Sequence, residues 1–178
     1  MNFKVGMISL GCPKNQVDAE IMLKKLIDNN FTIVTNTEDA DIVIINTCGF
    51  IEDAKKEAIE AILETAEYKK AGLISGIVVT GCLAERYQDE ILEEIPEVDA
   101  VVGIGANSDI VKICQKVMCG IVTSLYPDKC YLPIDDERLV STPSHWAYLK
   151  IADGCDNKCS YCAIPVSYTH LRAHETTL

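Results

Sequence analysis

Three cysteines fall within eight residues as Cys155-x-x-x-Cys159-x-x-Cys162, inside SHWAYLKIADGCDNKCSYCAIP. Thiolates are the ligands that soft iron-sulfur centres select, and one short loop carrying three of them suits one face of an inorganic cluster. Structural zinc sites usually pair C-x-x-C or C-x-x-H units to reach four ligands, and no fourth donor is adjacent here. Cys130 and His145 are the conceivable fourth ligands if the metal is zinc. A cubane held by three cysteines leaves one iron without a protein ligand, and a small molecule can bind at that vacancy.

A second set is spread along the chain. Gly11-Cys12, Cys48-Gly49 and Gly81-Cys82 each follow an aliphatic run directly and precede a helical pattern, with the cysteines 36 and 34 residues apart. That interval is the scale of a strand-helix-strand unit, ~30 residues or more. If the strands are parallel, their carboxyl ends share the sheet edge where open α/β sheets place ligands. The neighbouring glycines let the backbone come close to a bulky ligand and permit positive φ. One such cysteine is most simply a small buried residue at a strand end. Three repeating the arrangement predict convergence on one site.

The elements that must position these thiols follow from periodicity. Residues 3–10 read as a strand and 15–29 as a helix with Met22, Leu23, Leu26 and Ile27 inward, ended by Asn29-Asn30. Strand-like runs recur at 31–35, 41–46, 75–80 and 98–104. Helices fit 52–70, 84–95 and 108–118. Continuous aliphatic strands alternating with helices predict an α/β layer domain, a mostly parallel sheet flanked by helices, over 1–119. The connection from 31–35 to 41–46 has about half the dozen residues of an ordinary parallel crossover, which leaves that strand's direction open. Residues 120–144 hold Pro127, Pro133 and Pro143 without a helical period and read as a linker. A strand at 145–152 then opens a second domain, 145–165, and the tail 166–178 has no clear apolar period.

The chain has 178 residues, 48% apolar and 24% charged, which excludes wholesale disorder. No apolar run approaches the ~18 residues of a membrane-spanning helix. The formal charge of −11, from 27 acidic and 16 basic residues, argues against nucleic acid as a direct partner and favours a basic one. Nine cysteines, an odd number, fit a reducing, cytoplasmic compartment where clustered thiols serve as metal ligands or catalytic groups. No leader is expected, because the apolar stretch 5–10 is shorter than a signal core.

With these residues in view, the three-cysteine loop resembles the signature of the radical S-adenosylmethionine superfamily. There the open iron is chelated by that cofactor, whose reductive cleavage yields a 5'-deoxyadenosyl radical. Tyr161 occupies the signature's aromatic position, which the resemblance places near the adenine. SLGCPKN (9–15), NTCGFI (46–51), TGCLAERY (80–87) and the loop together resemble the methylthiotransferases over about residues 3–165. Cys-Pro-Lys-Asn and AYLKIADGC point to the ribosomal-protein branch rather than the transfer-RNA branch.

The resemblance implies two 4Fe-4S clusters, one on Cys155, Cys159 and Cys162 and an auxiliary one on Cys12, Cys48 and Cys82. It also implies S-adenosyl-L-methionine, the start of a radical SAM partial barrel at 145–165, and an electron donor such as flavodoxin or ferredoxin. The implied reaction is methylthiolation of an aspartate β-carbon on a small-subunit ribosomal protein. Transfer-RNA adenosine is the alternative substrate, and a non-catalytic zinc or redox module the alternative class. Ala19 departs from the family's serine, and from Val166 onward nothing matches the family pattern. The resemblance thus implies a chain that holds the auxiliary cluster but, without the remaining barrel, turns nothing over.

Two weaker signals are discounted. Gly103-Ile-Gly105 lacks the third glycine of a dinucleotide fingerprint and reads as a turn into a helix. The segment 85–97, with six carboxylates and one arginine, reads as a solvated helix face. Cys114, Cys119 and Cys130 belong to no motif and read as structural.

Overall fold

The structure is a computed structural model that describes residues 3–127, 136–151, 154, 155, 157, 159 and 160. Its first strand, β1 (Lys4–Ser9), leads through Gly11 and Cys12 into α1 (Pro13–Asp28), with proline at the helix start where a missing N–H costs nothing. Asn30, at φ 64°, ends the helix, matching the expected stop. Then come β2 (Thr32–Val34), a 3-10 turn (Thr37–Asp39), β3 (Ile42–Thr47), α2 (Glu52–Lys70) and β4 (Gly76–Gly81). Glu52 and Asp53 in the first turn of α2, and Lys69 and Lys70 in its last, complement the helix dipole. The chain continues through α3 (Cys82–Tyr87), α4 (Glu90–Glu94), β5 (Ala100–Val102), a 3-10 turn (Ile104–Asp109), α5 (Ile110–Met118) and β6 (Thr123–Leu125).

The six strands form one sheet in the order β2-β1-β3-β4-β5-β6, and every pairing is parallel. Every residue of β3 and β4 is buried, as expected of central strands covered on both faces. On one face Met22 and Leu26 of α1 and Ile110, Ile113 and Val117 of α5 pack on Val5, Ile42, Ile44 and Val78. On the other, Ala58, Ile62 and Ala66 of α2 and Leu83 and Ile91 pack on Val43, Ile45, Ile77 and Val79. Ile27, expected inward, is exposed.

The open question of strand direction has a geometric answer. β2 and β3 lie on opposite sides of β1, with Val34 level with Gly6 and Ile42 level with Val5. The link therefore retraces almost no strand length and moves sideways by two strand spacings, ~10 Å. It passes over Gly6, where a Cβ would already touch Ala40 Cβ at 3.4 Å.

Three further features differ from the periodicity reading. The single helix expected at 84–95 is two short ones, broken at Gln88 with φ 42°. Its acidic face is partly tied into the fold: Glu85 accepts the Ile104 N–H at 2.9 Å, and Asp89 accepts the Tyr126 hydroxyl at 3.1 Å. The stretch read as a linker carries β6, which extends the sheet. Residues 145–151 form no ladder with any described strand; they and 136–144 instead make a strap along α1. Along this strap, Lys25 pairs with Asp136 at 2.7 Å, the Leu139 N–H donates to Glu20 O at 3.0 Å, and Lys150 pairs with Asp18 at 2.6 Å.

Candidate metal centre at the carboxyl edge of the sheet

The strand order reverses between β1 and β3, and the crevice outside their carboxyl ends is where open α/β sheets hold ligands. Cys12 follows β1, Cys48 follows β3 and Cys82 follows the adjacent β4, so three turns stand side by side on one edge. Their contacts are close. A Cβ on Gly11, whose φ is +98°, would lie 2.5 Å from Cys48 Cβ and 2.9 Å from its Sγ. One on Gly49 would meet the Leu83 backbone at 3.1 and 3.2 Å. One on Gly81, φ +93°, would lie 2.3 Å from Thr47 O. Each glycine beside a cysteine is thus the residue that lets its turn touch the next.

Two asparagines lock the turns together, and sequence reasoning assigned them no role. Asn15 Nδ2 donates to Leu10 O at 3.0 Å and to Thr47 O at 2.8 Å, joining the first turn to the second. Asn46 Nδ2 donates to Asn15 O at 2.7 Å. Cys82 Sγ lies 3.8 Å from Asn15 Oδ1, which brings in the third turn. Thr47 Oγ1 donates to Thr80 O at 2.5 Å, and Thr80 Oγ1 to Asn107 Oδ1 at 2.8 Å. The signal in the sequence was polar residues continuing an otherwise fully aliphatic strand, Asn46-Thr47 after Ile42-Val43-Ile44-Ile45. Such groups are buried only when partnered. Asn46 Oδ1 is buried and has no hydrogen-bond partner among the described residues.

The thiols differ in exposure: Cys12 is exposed, Cys82 intermediate and Cys48 buried. Among the described residues no three His, Cys, Asp or Glu side chains converge as a group that could hold a metal ion. The backbone frame does fit a thiolate-held centre: three cysteines on three abutting turns, and glycines that leave no room for a Cβ. That donor set is the one iron-sulfur centres use.

In the second set, Cys155 and Cys159 are exposed, Gly154 has φ +86°, and Asn157 Nδ2 donates to Cys155 Sγ at 3.4 Å. Cys162, Tyr161, Cys130 and the tail 166–178 lie outside the described residues. Cys114 is fully buried in α5, and burial pushes its thiol up to about 12, as suits a structural residue. Cys119, at the end of α5, is exposed.

The sheet order and the cysteine-bearing edge define a flavodoxin-like α/β layer domain. A family profile described as "Uncharacterized protein family UPF0004" matches residues 4–103, and the chain belongs to that family. Among curated relatives, the "Ribosomal protein uS12 methylthiotransferase RimO" of Desulforamulus reducens is 52% identical over 163 residues, covering 90% of this chain and 37% of the relative. The protein of the same name from Acetivibrio thermocellus is 50% identical over 173 residues, covering 93% of this chain and 38% of the relative. That from Solibacter usitatus is 47% identical over 163 residues, covering 91% and 34%. The chain thus spans little more than a third of the length of these relatives. No helix among the described residues is long and apolar enough to cross a membrane.

Proposed function

We propose that this chain is the N-terminal part of a radical methylthiotransferase that modifies an aspartate β-carbon of ribosomal protein uS12, in the cytoplasm. The observation that carries the reading is the abutment of the Cys12, Cys48 and Cys82 turns at the switch-point edge, with the glycine contacts that force it. The relatives' shared name supplies the reaction and the substrate.

On this reading Cys12, Cys48 and Cys82 hold an auxiliary 4Fe-4S cluster. Cys155, Cys159 and Cys162 hold a second, with Tyr161 beside S-adenosylmethionine. When bound, these groups supply radical generation and sulfur delivery, which side chains cannot provide. The protein's own part is to hold the ligands. Gly11 and Gly81 occupy left-handed backbone that brings Cys48 and Thr47 into contact with their neighbours. Asn15 and Asn46 fix the turns' register. An electron donor such as flavodoxin or ferredoxin supplies the reducing equivalents.

The test is a chimera in which residues 4–160 replace the matching part of the Desulforamulus reducens relative, given uS12 and transfer RNA separately under reducing, anaerobic conditions. The expected product is uS12 carrying one added methylthio group on an aspartate. Modification of transfer RNA alone would move the assignment to the other branch, and loss of all activity with intact iron content would overturn it.

A further inference from the structure

Two carboxylates of α1 are buried although a helix at the surface of a sheet has no need to hide them. Asp18 is 8% and Glu20 3% exposed. The groups that meet them come from the strap, 136–151. Lys150 Nζ lies 2.6 Å from Asp18 Oδ1, with both side chains nearly closed off from solvent. Glu20 Oε1 accepts from the Ser141 N–H at 2.8 Å and its hydroxyl at 2.7 Å, and Glu20 Oε2 lies 3.4 Å from Arg138. Arg138 in turn donates to Tyr148 O, tying the outgoing arm of the strap to the returning one. A buried charge separated from its partner is costly, so charges matched at a single register hold a segment at that register.

The register matters because of what lies at each end. Asp18 is six residues beyond Cys12, about 9 Å along the helix. Lys150 stands five residues before Cys155. Tyr148 and Ser141 face Gly11 and Cys12 across a cavity of about 360 Å³. Leu149 and Ile151 line a second cavity with Pro13 and Val17, on the first turns of the same helix. From Ile151 the chain reaches Cys155 in four residues, ~14 Å at full extension.

We propose that the Asp18–Lys150 pair, backed by Glu20, is a positioning clamp that holds the Cys155 loop beside the Cys12 turn. The spacing of the two sulfur groups is then set by α1. The inference rests on the two-cluster reading for its purpose, while the clamp itself needs no metal to be tested.

The probe is a short bifunctional maleimide applied to the reduced, metal-free chain, with cross-linked Cys12–Cys155 peptides quantified by mass spectrometry and iron uptake measured separately. The wild-type chain should yield the cross-link. Lys150→Met should lower the yield about tenfold or more, because effective concentration collapses once the loop is released. The exchanged pair Asp18→Lys with Lys150→Asp should restore part of it. Amide exchange at Leu139 and Ser141, which donate to Glu20, should rise in Lys150→Met while β3 stays protected, which excludes general unfolding. An unchanged yield in Lys150→Met, or no Cys12–Cys155 product from the wild type, would overturn the clamp. Failure of the wild type to take up iron would overturn the cluster reading and leave the clamp result standing.

Discussion

Cys12, Cys48 and Cys82 are 36 and 34 residues apart, yet their turns touch; Cys155 and Cys159 are four residues apart and share no helix or strand among the described residues. The first group is assembled by three adjacent strands whose every residue pairing is fixed, by glycines without room for a Cβ, and by asparagine side chains bridging loop to loop. The second is assembled by local sequence, and its place in space depends on the strap that leads to it. A sheet edge therefore brings distant thiols together at the cost of rigid packing, whereas a short loop keeps thiols together anywhere and must be positioned from outside.

That contrast predicts opposite responses to the same kind of change. Gly81→Ala places a Cβ against Thr47 O in left-handed backbone and should destabilise the chain by about 2–4 kcal/mol in denaturant unfolding. Gly154→Ala, also at positive φ but in an exposed loop that can relax, should cost only about 1 kcal/mol. Equal shifts would mean that the sheet-edge turns are no tighter than the loop. Asn15→Ala removes the hydrogen bonds to Leu10 O, part-buried, and Thr47 O, buried, and should cost about 1–3 kcal/mol. It should also lower iron uptake in a chain whose only cluster ligands are Cys12, Cys48 and Cys82, and leave uptake unchanged in one whose only cluster ligands are Cys155, Cys159 and Cys162.

Much of this comparison was legible in the sequence. Aliphatic runs ending beside glycine-cysteine pairs marked the strands, their carboxyl ends and the turns that abut there, because parallel pairing puts every such end on one edge. The direction of β2 was not legible from loop length, since a link that moves sideways over a glycine needs few residues. The break at Gln88 was hidden because the helical period runs through it, and tertiary hydrogen bonds to Glu85 and Asp89 replaced helix continuation. β6 is only three residues long, too short for a period to register. Asn15 and Asn46 lay inside motifs read for their cysteines, and their bridging role needs two strands in register to be visible. The strap was missed because its contacts pair charges more than 110 residues apart, which no local pattern reveals.

Smaller effects separate the thiols by reactivity. Alkylation of the native, metal-free chain should modify Cys155, Cys159 and Cys12 first and Cys48 later. Cys114, buried and with its thiol raised to about 12, should react ~100-fold or more slowly than the exposed group. Cys114 reacting alongside Cys12 would show that α5 does not seal its face of the sheet. Cys155→Ser with Cys159→Ser should leave the unfolding free energy unchanged within about 0.5 kcal/mol.

The central claim is tested most directly by anaerobic reconstitution with iron and sulfide of a chain in which Cys155, Cys159 and Cys162 are all alanine. The expected result is about four iron and four sulfide per chain with broad visible absorption, abolished by adding Cys48→Ser. A colourless chain, stoichiometric zinc in place of iron, or iron content indifferent to Cys48→Ser would contradict it.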